Sequence, residues 1–266
     1  ALPISLASLA VGSHQVEADY SGDTSYAPSS NSISFVVGKA STSTVVGVRV
    51  NELAAQVRPV APGAGAPSGS VSFAVDGTTV GTAPVGAGGL ATLPRTTLGA
   101  HGVSATYSGD GSFLGSSGST ATRNPSIVAH VSSPHARTAA GWYRSAVKVS
   151  FTCTTAGAPL IGGCPKPVTV SKNGAAQSVT KTIVAADGGV ATVSVSPINI
   201  DRNKPTVRIS GVKSGAAYGA FPARKPTCTA HDALSGVAKR CTVSASRSGT
   251  HVTYTATARD RAGNVA

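Results

Sequence analysis

The strongest constraint on this chain is that it repeats itself. Tyr20-Ser21-Gly22-Asp23 recurs as Tyr107-Ser108-Gly109-Asp110, an offset of 87 residues. The flanks keep that offset: His14 answers to His101, Tyr26 to Phe113, and Ser29-Ser30 to Ser116-Ser117. Upstream, Leu2-Pro3 corresponds to Leu93-Pro94 with a four-residue difference in length. Self-similarity of this kind marks one supersecondary unit used more than once, so the chain reads as an array.

Each copy has the pattern of a strand followed by a turn. Val16, Ala18 and Tyr20 alternate with Gln15, Glu17 and Asp19. Val103, Ala105 and Tyr107 repeat that face, and Val71, Phe73 and Val75 supply another. A period of two with one apolar face predicts a half-buried strand. The Gly-Asp that follows each tyrosine, and Asp76-Gly77 ahead of Thr78, are turn and hairpin signals. Composition agrees, since 32 valines against 10 leucines favour strands over helices. At about 150 residues per domain, 266 residues imply two or more units. A hydrophobic content of 41% is too high for a disordered chain. No apolar run approaches the ~20 residues of a membrane-spanning helix.

The second half uses a different repeat. Val147–Cys153 alternates and ends in a cysteine, a Gly/Pro-rich loop leads to Cys164, and Val168–Val170 and Ala191–Val195 close the unit. The last unit opens at Pro205–Ile209, carries Cys228, Asp232–Val237 and Cys241, and ends in Tyr254–Asn264.

These segments resemble known modules. VGSHQVEADYSGDTSYAPSS, GSVSFAVDGTTVGTAPV and ATYSGDGSF are similar to group 3-like bacterial Ig-like repeats. GWYRSAVKVSFTC, INIDRNKPTV, CTAHDALSGV and ATARDRAGN resemble disulfide-containing Ig-like modules of exported actinobacterial proteins. The resemblance implies an all-β fold, tandem Ig-like β-sandwich domains in an elongated array. The expected division is a partial domain at 1–38, a domain at 39–124, one at 125–201, and one at 202–266 that lacks its closing strand. The first repeat starts near its Leu-Pro segment, so its early strands are expected outside this chain. Such modules serve as stalks, adhesins and enzyme appendages alike, so the resemblance does not name a ligand.

Four cysteines allow three connectivities. The local pairs Cys153–Cys164 and Cys228–Cys241 are favoured because each flanks a turn-rich stretch; four buried thiols are the alternative. Neither pair is a CxxC knuckle, and no histidine stands beside them at zinc spacing. Bonded cysteines persist in oxidising surroundings, which points to an exported protein, extracellular or at the cell surface. Methionine is absent even at position 1, so the chain is expected to be a mature or internal piece of something longer.

Chemistry is harder to find. There are only ten carboxylates, spread thinly, and no GxSxG, HExxH or Walker motif, so no enzyme activity and no cofactor are expected. Leu93-Pro94-Arg95-Thr96-Thr97 lacks the final glycine and apolar tail of a sorting signal and is read as a strand and its turn. Asp201, Asn203, Asp232 and Asp260 offer oxygens of the kind Ca²⁺ takes. Arg202, Lys204, Lys239, Arg240, Arg259 and Arg261 crowd the same segments, so Asx-turn capping is preferred to a metal site. Trp142 could stack on a sugar, but a core plug is the preferred role.

Charge is divided unevenly. Residues 1–124 carry five Lys/Arg and six Asp/Glu, net −1, while residues 125–266 carry seventeen and four, net +13. That asymmetry points to an acidic partner. The cations lack interleaved aromatics and any reading motif for nucleic acid, so an anionic cell-wall polymer or polysaccharide fits better. The expected function is a non-catalytic stalk, adhesin shaft or filament subunit. Self-association, or neighbouring Ig-like domains of a longer chain, is the expected mode of partnership, and anionic-polymer binding is the alternative function.

Overall fold

The computed structural model describes residues 9–218 and 225–266. The correspondence drawn for Leu2-Pro3 lies outside them. The chain is all-β in several sheets; among the described residues the one helical element is a 3₁₀ turn at Ala87–Gly89. No helix among them is long and apolar enough to cross a membrane. The chain divides into two compact units. One holds residues 1–125 with 155–161 and 184–191; the other holds 126–154, 162–183 and 192–266.

In the first unit, β1 (Gly12–Tyr20) and β2 (Ser29–Val37) form a two-stranded antiparallel sheet. A sandwich follows, built from β3 (Thr42–Arg49), β4 (Glu52–Pro59), β5 (Ser70–Val75), β6 (Thr78–Pro84), β7 (Leu90–Pro94), β8 (Gly102–Tyr107) and β9 (Ser116–Ala121). One sheet has the order β3-β4-β7 and the other β6-β5-β8-β9. Asp76 and Gly77 both adopt positive φ (49° and 81°), the pair of left-handed residues that a tight hairpin between β5 and β6 requires. The alternating faces read from the sequence meet in one core: Leu53, Ala55 and Val57 of β4 pack against Val71 and Phe73 of β5 and the Val103, Ala105, Tyr107 face of β8. Burying each of the large side chains contributes about 1.5–3 kcal/mol, so this cluster is what holds the two sheets together.

The repeat in sequence is a repeat in register. Tyr20 pairs with Ser29 and Val16 with Ile33 across β1–β2; Tyr107 pairs with Ser116 and Val103 with Thr120 across β8–β9. The turn repeats too. Asp23 Oδ1 accepts the backbone N–H groups of Ser25 and Tyr26 at 2.8 and 2.9 Å, and Asp110 Oδ1 accepts those of Ser112 and Phe113, both at 2.8 Å. Gly22 and Gly109 share φ of 80°, and a Cβ at either would lie 2.8 Å from the carbonyl oxygen of Tyr26 or Phe113. The Tyr-Ser-Gly-Asp string recurs because a left-handed glycine and a short acceptor are what this turn needs.

The second unit holds most of β10 to β19. These are β10 (Ser126–Ser132), β11 (Trp142–Tyr143), β12 (Val147–Thr154), β13 (Val168–Val170), β14 (Gly174–Val184) and β15 (Val190–Ile200), then β16 (Thr206–Ser210), β17 (Thr227–His231), β18 (Thr242–Ser248) and β19 (His251–Thr257). The sheets β10-β12-β13 and β11-β15-β14 enclose Val147, Val149, Val179, Ile198 and Ile200. β16–β17 and β18–β19 are two antiparallel pairs.

Candidate functional site

Three of the four oxygen-bearing residues singled out in the sequence converge. Asp201 follows β15, Asp232 follows β17 and Asp260 lies beyond β19, yet their carboxylate oxygens come within 4.8 Å of one another. Asp201 and Asp260 are wholly buried, Asp232 half-buried. Asn203 is exposed and meets the cluster through its backbone, donating N–H to Asp201 Oδ1 at 3.1 Å.

Donors surround the buried acids. Asp201 Oδ2 accepts the N–H of Ser235 at 3.1 Å. Asp232 Oδ1 accepts the N–H groups of Leu234 and Gly236. Asp260 takes the backbone N–H of Asn264 on Oδ1 and its amide on Oδ2, at 2.8 and 2.7 Å, and the same amide donates to the carbonyl of Asp201 at 2.9 Å. A hard cation such as Ca²⁺ would be held by these three carboxylates, but it takes six to eight oxygens. The oxygens of Asp201 and Asp260 are already engaged by N–H donors. The arrangement ties three loops together, the work of Asx caps. Arg202, Lys204, Lys239, Arg240, Arg259 and Arg261 are exposed, and none forms an ion pair with the cluster.

The cysteines sit in the same unit. Cys153 and Cys164 are joined with Cα atoms 5.7 Å apart, and Cys228 and Cys241 with Cα atoms 6.0 Å apart. Both pairings are local. Trp142 is half-buried in β11, paired in parallel with Asn199 of β15.

Two residues of the first unit gained importance only in three dimensions. Arg95 is buried beside the 184–191 turn, and its Nη1 donates to the carbonyls of Arg49 and Asp187. Its Nε and Nη2 have no partner. Burial pushes the guanidinium pKa down, and the Asp187 carboxylate opposes that. No local sequence signal marks it, because a charged residue after a strand normally faces water.

His101, noted only as a repeat position, sits between two acceptors: Nδ1 lies 2.7 Å from Asp76 Oδ2 and Nε2 3.1 Å from the Leu98 carbonyl. The Asp76 carboxylate, helped by the Leu98 carbonyl, raises the imidazole pKa above its usual value. A raised folded value means the contact stabilises fully below about pH 6.5 and fades as pH rises through the folded pKa. In an NMR titration His101 is expected to show a midpoint above about 6.5, and Asp76→Asn should move it back down. A midpoint indifferent to Asp76→Asn would show that the pair is not formed in solution.

Residues 37–124 match the family model described as Bacterial Ig-like domain (group 3). No curated protein matches the chain. Among solved structures, a tetra-tandem repeat from the extending region of a large adhesion protein is 17% identical, covering 98% of this chain and 81% of that one at a TM-score of 0.32. The fibronectin(III)-like modules of Clostridium thermocellum CbhA are 9% identical over 62% of this chain and 91% of theirs, with a TM-score of 0.22. The N-terminal eight Ig domains of Down Syndrome Cell Adhesion Molecule are 13% identical over 90% of this chain and 32% of that one, with a TM-score of 0.27.

Proposed function

We propose that the chain is a non-catalytic structural protein of the bacterial exterior, an Ig-like stalk, adhesin shaft or filament subunit made of four units that divide near residues 38, 124 and 201. The observation that carries this reading is the duplicated register: the same strand, turn and hydrogen bonds recur 87 residues apart, in a chain where Asp23, Asp110, Asp201, Asp232, Asp260 and His101 tie loops. Repetition of a scaffold around loop ties builds length and spacing. Two bonded cysteine pairs suit an oxidising location.

A second reading has its own support. The net charge of +13 in residues 125–266 is carried largely on exposed side chains. Among the described residues, no lysine or arginine of this half forms an ion pair. Such a surface would take an anionic polysaccharide or cell-wall polymer. Both readings face one experiment: a pull-down on purified cell wall and on acidic glycan at low and high salt. The structural module predicts no retention at either salt. Retention lost at high salt, and abolished by replacing exposed lysines of residues 125–266, would favour the binding module instead.

A further inference from the structure

We propose that the outer edge of β1 is a docking site for an extended segment of the Ser-Gly-Ser-Val-Ser-Phe type, the sequence of residues 68–73 that leads into β5. The molecule itself shows what covers such an edge. In the second copy β8 lies between β9 and β5, with Val71 opposite Tyr107 and Val75 opposite Val103. In the first copy β1 pairs with β2, and among the described residues no strand pairs with its other side.

Side chains buried in the core of the second copy are open in the first. Tyr107 is 1% exposed and its counterpart Tyr20 44%; Phe113 is 5% exposed and its counterpart Tyr26 71%. Ile33, on the same face of the hairpin as Val16, is 67% exposed.

The polar clamps at the two ends of β5 also have counterparts waiting. At the start of β5, Asp110 Oδ2 accepts both the N–H and the hydroxyl of Ser68, each at 2.7 Å, and Ser108 donates its N–H to the carbonyl of Ser70 at 3.1 Å. Asp23 and Ser21 stand at those positions in the first copy. There Asp23 Oδ2 accepts the Tyr20 hydroxyl at 2.7 Å, whereas the Tyr107 hydroxyl has no partner. Tyr20 thus occupies the acceptor that an incoming serine would claim. Past the end of β5, Asp76 holds His101 Nδ1 and the N–H of Gly102, the positions of His14 and Gln15. His14 engages the Ala10 carbonyl through Nε2, which leaves Nδ1 as the atom that meets such an aspartate.

The match stops at the far side of the hairpin. Gly118, against which β3 closes, is replaced by Asn31, so the docked element is the β5-type strand at the β1 edge and not a copy of β3. The docking edge stands whether or not the chain sits at a cell surface.

The test is hydrogen exchange of the full chain with a synthetic peptide of the sequence of residues 67–76. The peptide is expected to slow exchange in residues 12–20 saturably, leaving 102–107 unchanged. A peptide with Gly69→Val should fail, because a Cβ at Gly69 lies 2.9 Å from the Gly109 carbonyl, whose counterpart belongs to Gly22. Asp23→Asn in the chain keeps one side-chain oxygen for the turn and removes the second acceptor, so it should weaken the peptide by about tenfold or more. Four outcomes would overturn the proposal. These are slow exchange throughout 12–20 in the dilute chain alone, protection that grows with chain concentration without peptide (a second copy as occupant), equal binding of the Gly69→Val peptide, and no protection at the highest soluble peptide concentration.

Discussion

Asp110→Ala is expected to destabilise the β3–β9 sandwich by about 3 kcal/mol, the loss of several hydrogen bonds to one charged acceptor. One carboxylate holds the turn after β8 through Ser112 and Phe113 and the start of β5 through Ser68. Burial works against its ionisation, yet the hydrogen bonds from Ser68, Ser112 and Phe113 outweigh that and hold the carboxyl well below the usual range. The sign of the pH dependence follows. A depressed folded pKa gives stability that is present above the unfolded value of about 4 and is lost as pH falls through the folded one. The gap between wild type and Asp110→Ala should therefore be full at neutral pH and shrink in acid below about pH 4. Amide exchange in β5 and β8 reads it residue by residue. Asp23→Ala is the control, because its turn carries no β5-type strand among the described residues, and protection in β8 should not change. Equal loss from the two substitutions, or a gap that persists unchanged in acid, would mean that Asp110 is not the tie between turn and strand.

Much of the fold was legible because it rests on local rules. The Tyr-Ser-Gly-Asp string announces a strand, a left-handed glycine and an Asx turn, and the chain builds all three twice. Asp76-Gly77 announces a hairpin for the same reason. Asp201, Asp232 and Asp260 could be nominated from residue type, but their convergence could not, since it depends on where three loops of distant sequence end up. Asn203 fell out of the side-chain cluster because its side chain faces solvent while its backbone does the bonding. Long-range partners leave no pattern: nothing near Arg95 in sequence tells that Asp187 will accept from it. The fate of Tyr20 was half legible, because the alternation marks its face as apolar but does not supply the strand that covers it.

Gly118→Asn is expected to cost about 3 kcal/mol, at the upper end of overpacking in a closed contact. Gly118 lies in β9 opposite Ala105, and any Cβ there runs into the carbonyl oxygen of Thr44 in β3. Its φ is not in the left-handed region, so the demand for glycine comes from space and not from backbone conformation. This is the corner where the two sheets meet: Thr44 Oγ1 lies 2.7 Å from Ser116 Oγ, and Thr42 donates its hydroxyl to the Leu114 carbonyl at 2.8 Å. An asparagine would push β3 off β9, loosen those hydroxyl contacts and let water reach Val46, which lies 3.5 Å from the glycine's Cβ position. Ser119→Asn is the matched control, one residue along with its side chain exposed, and should stay within about 0.5 kcal/mol of wild type. Exchange protection in β3 and β9 is the readout. If Gly118→Asn proves as stable as Ser119→Asn, β3 and β9 do not close as described, and Asn31 at the corresponding place in β1–β2 would no longer bar a β3-type strand from that hairpin. If the loss appears, the two copies differ at this corner, an edge that only the glycine-bearing copy can close against a β3-type strand.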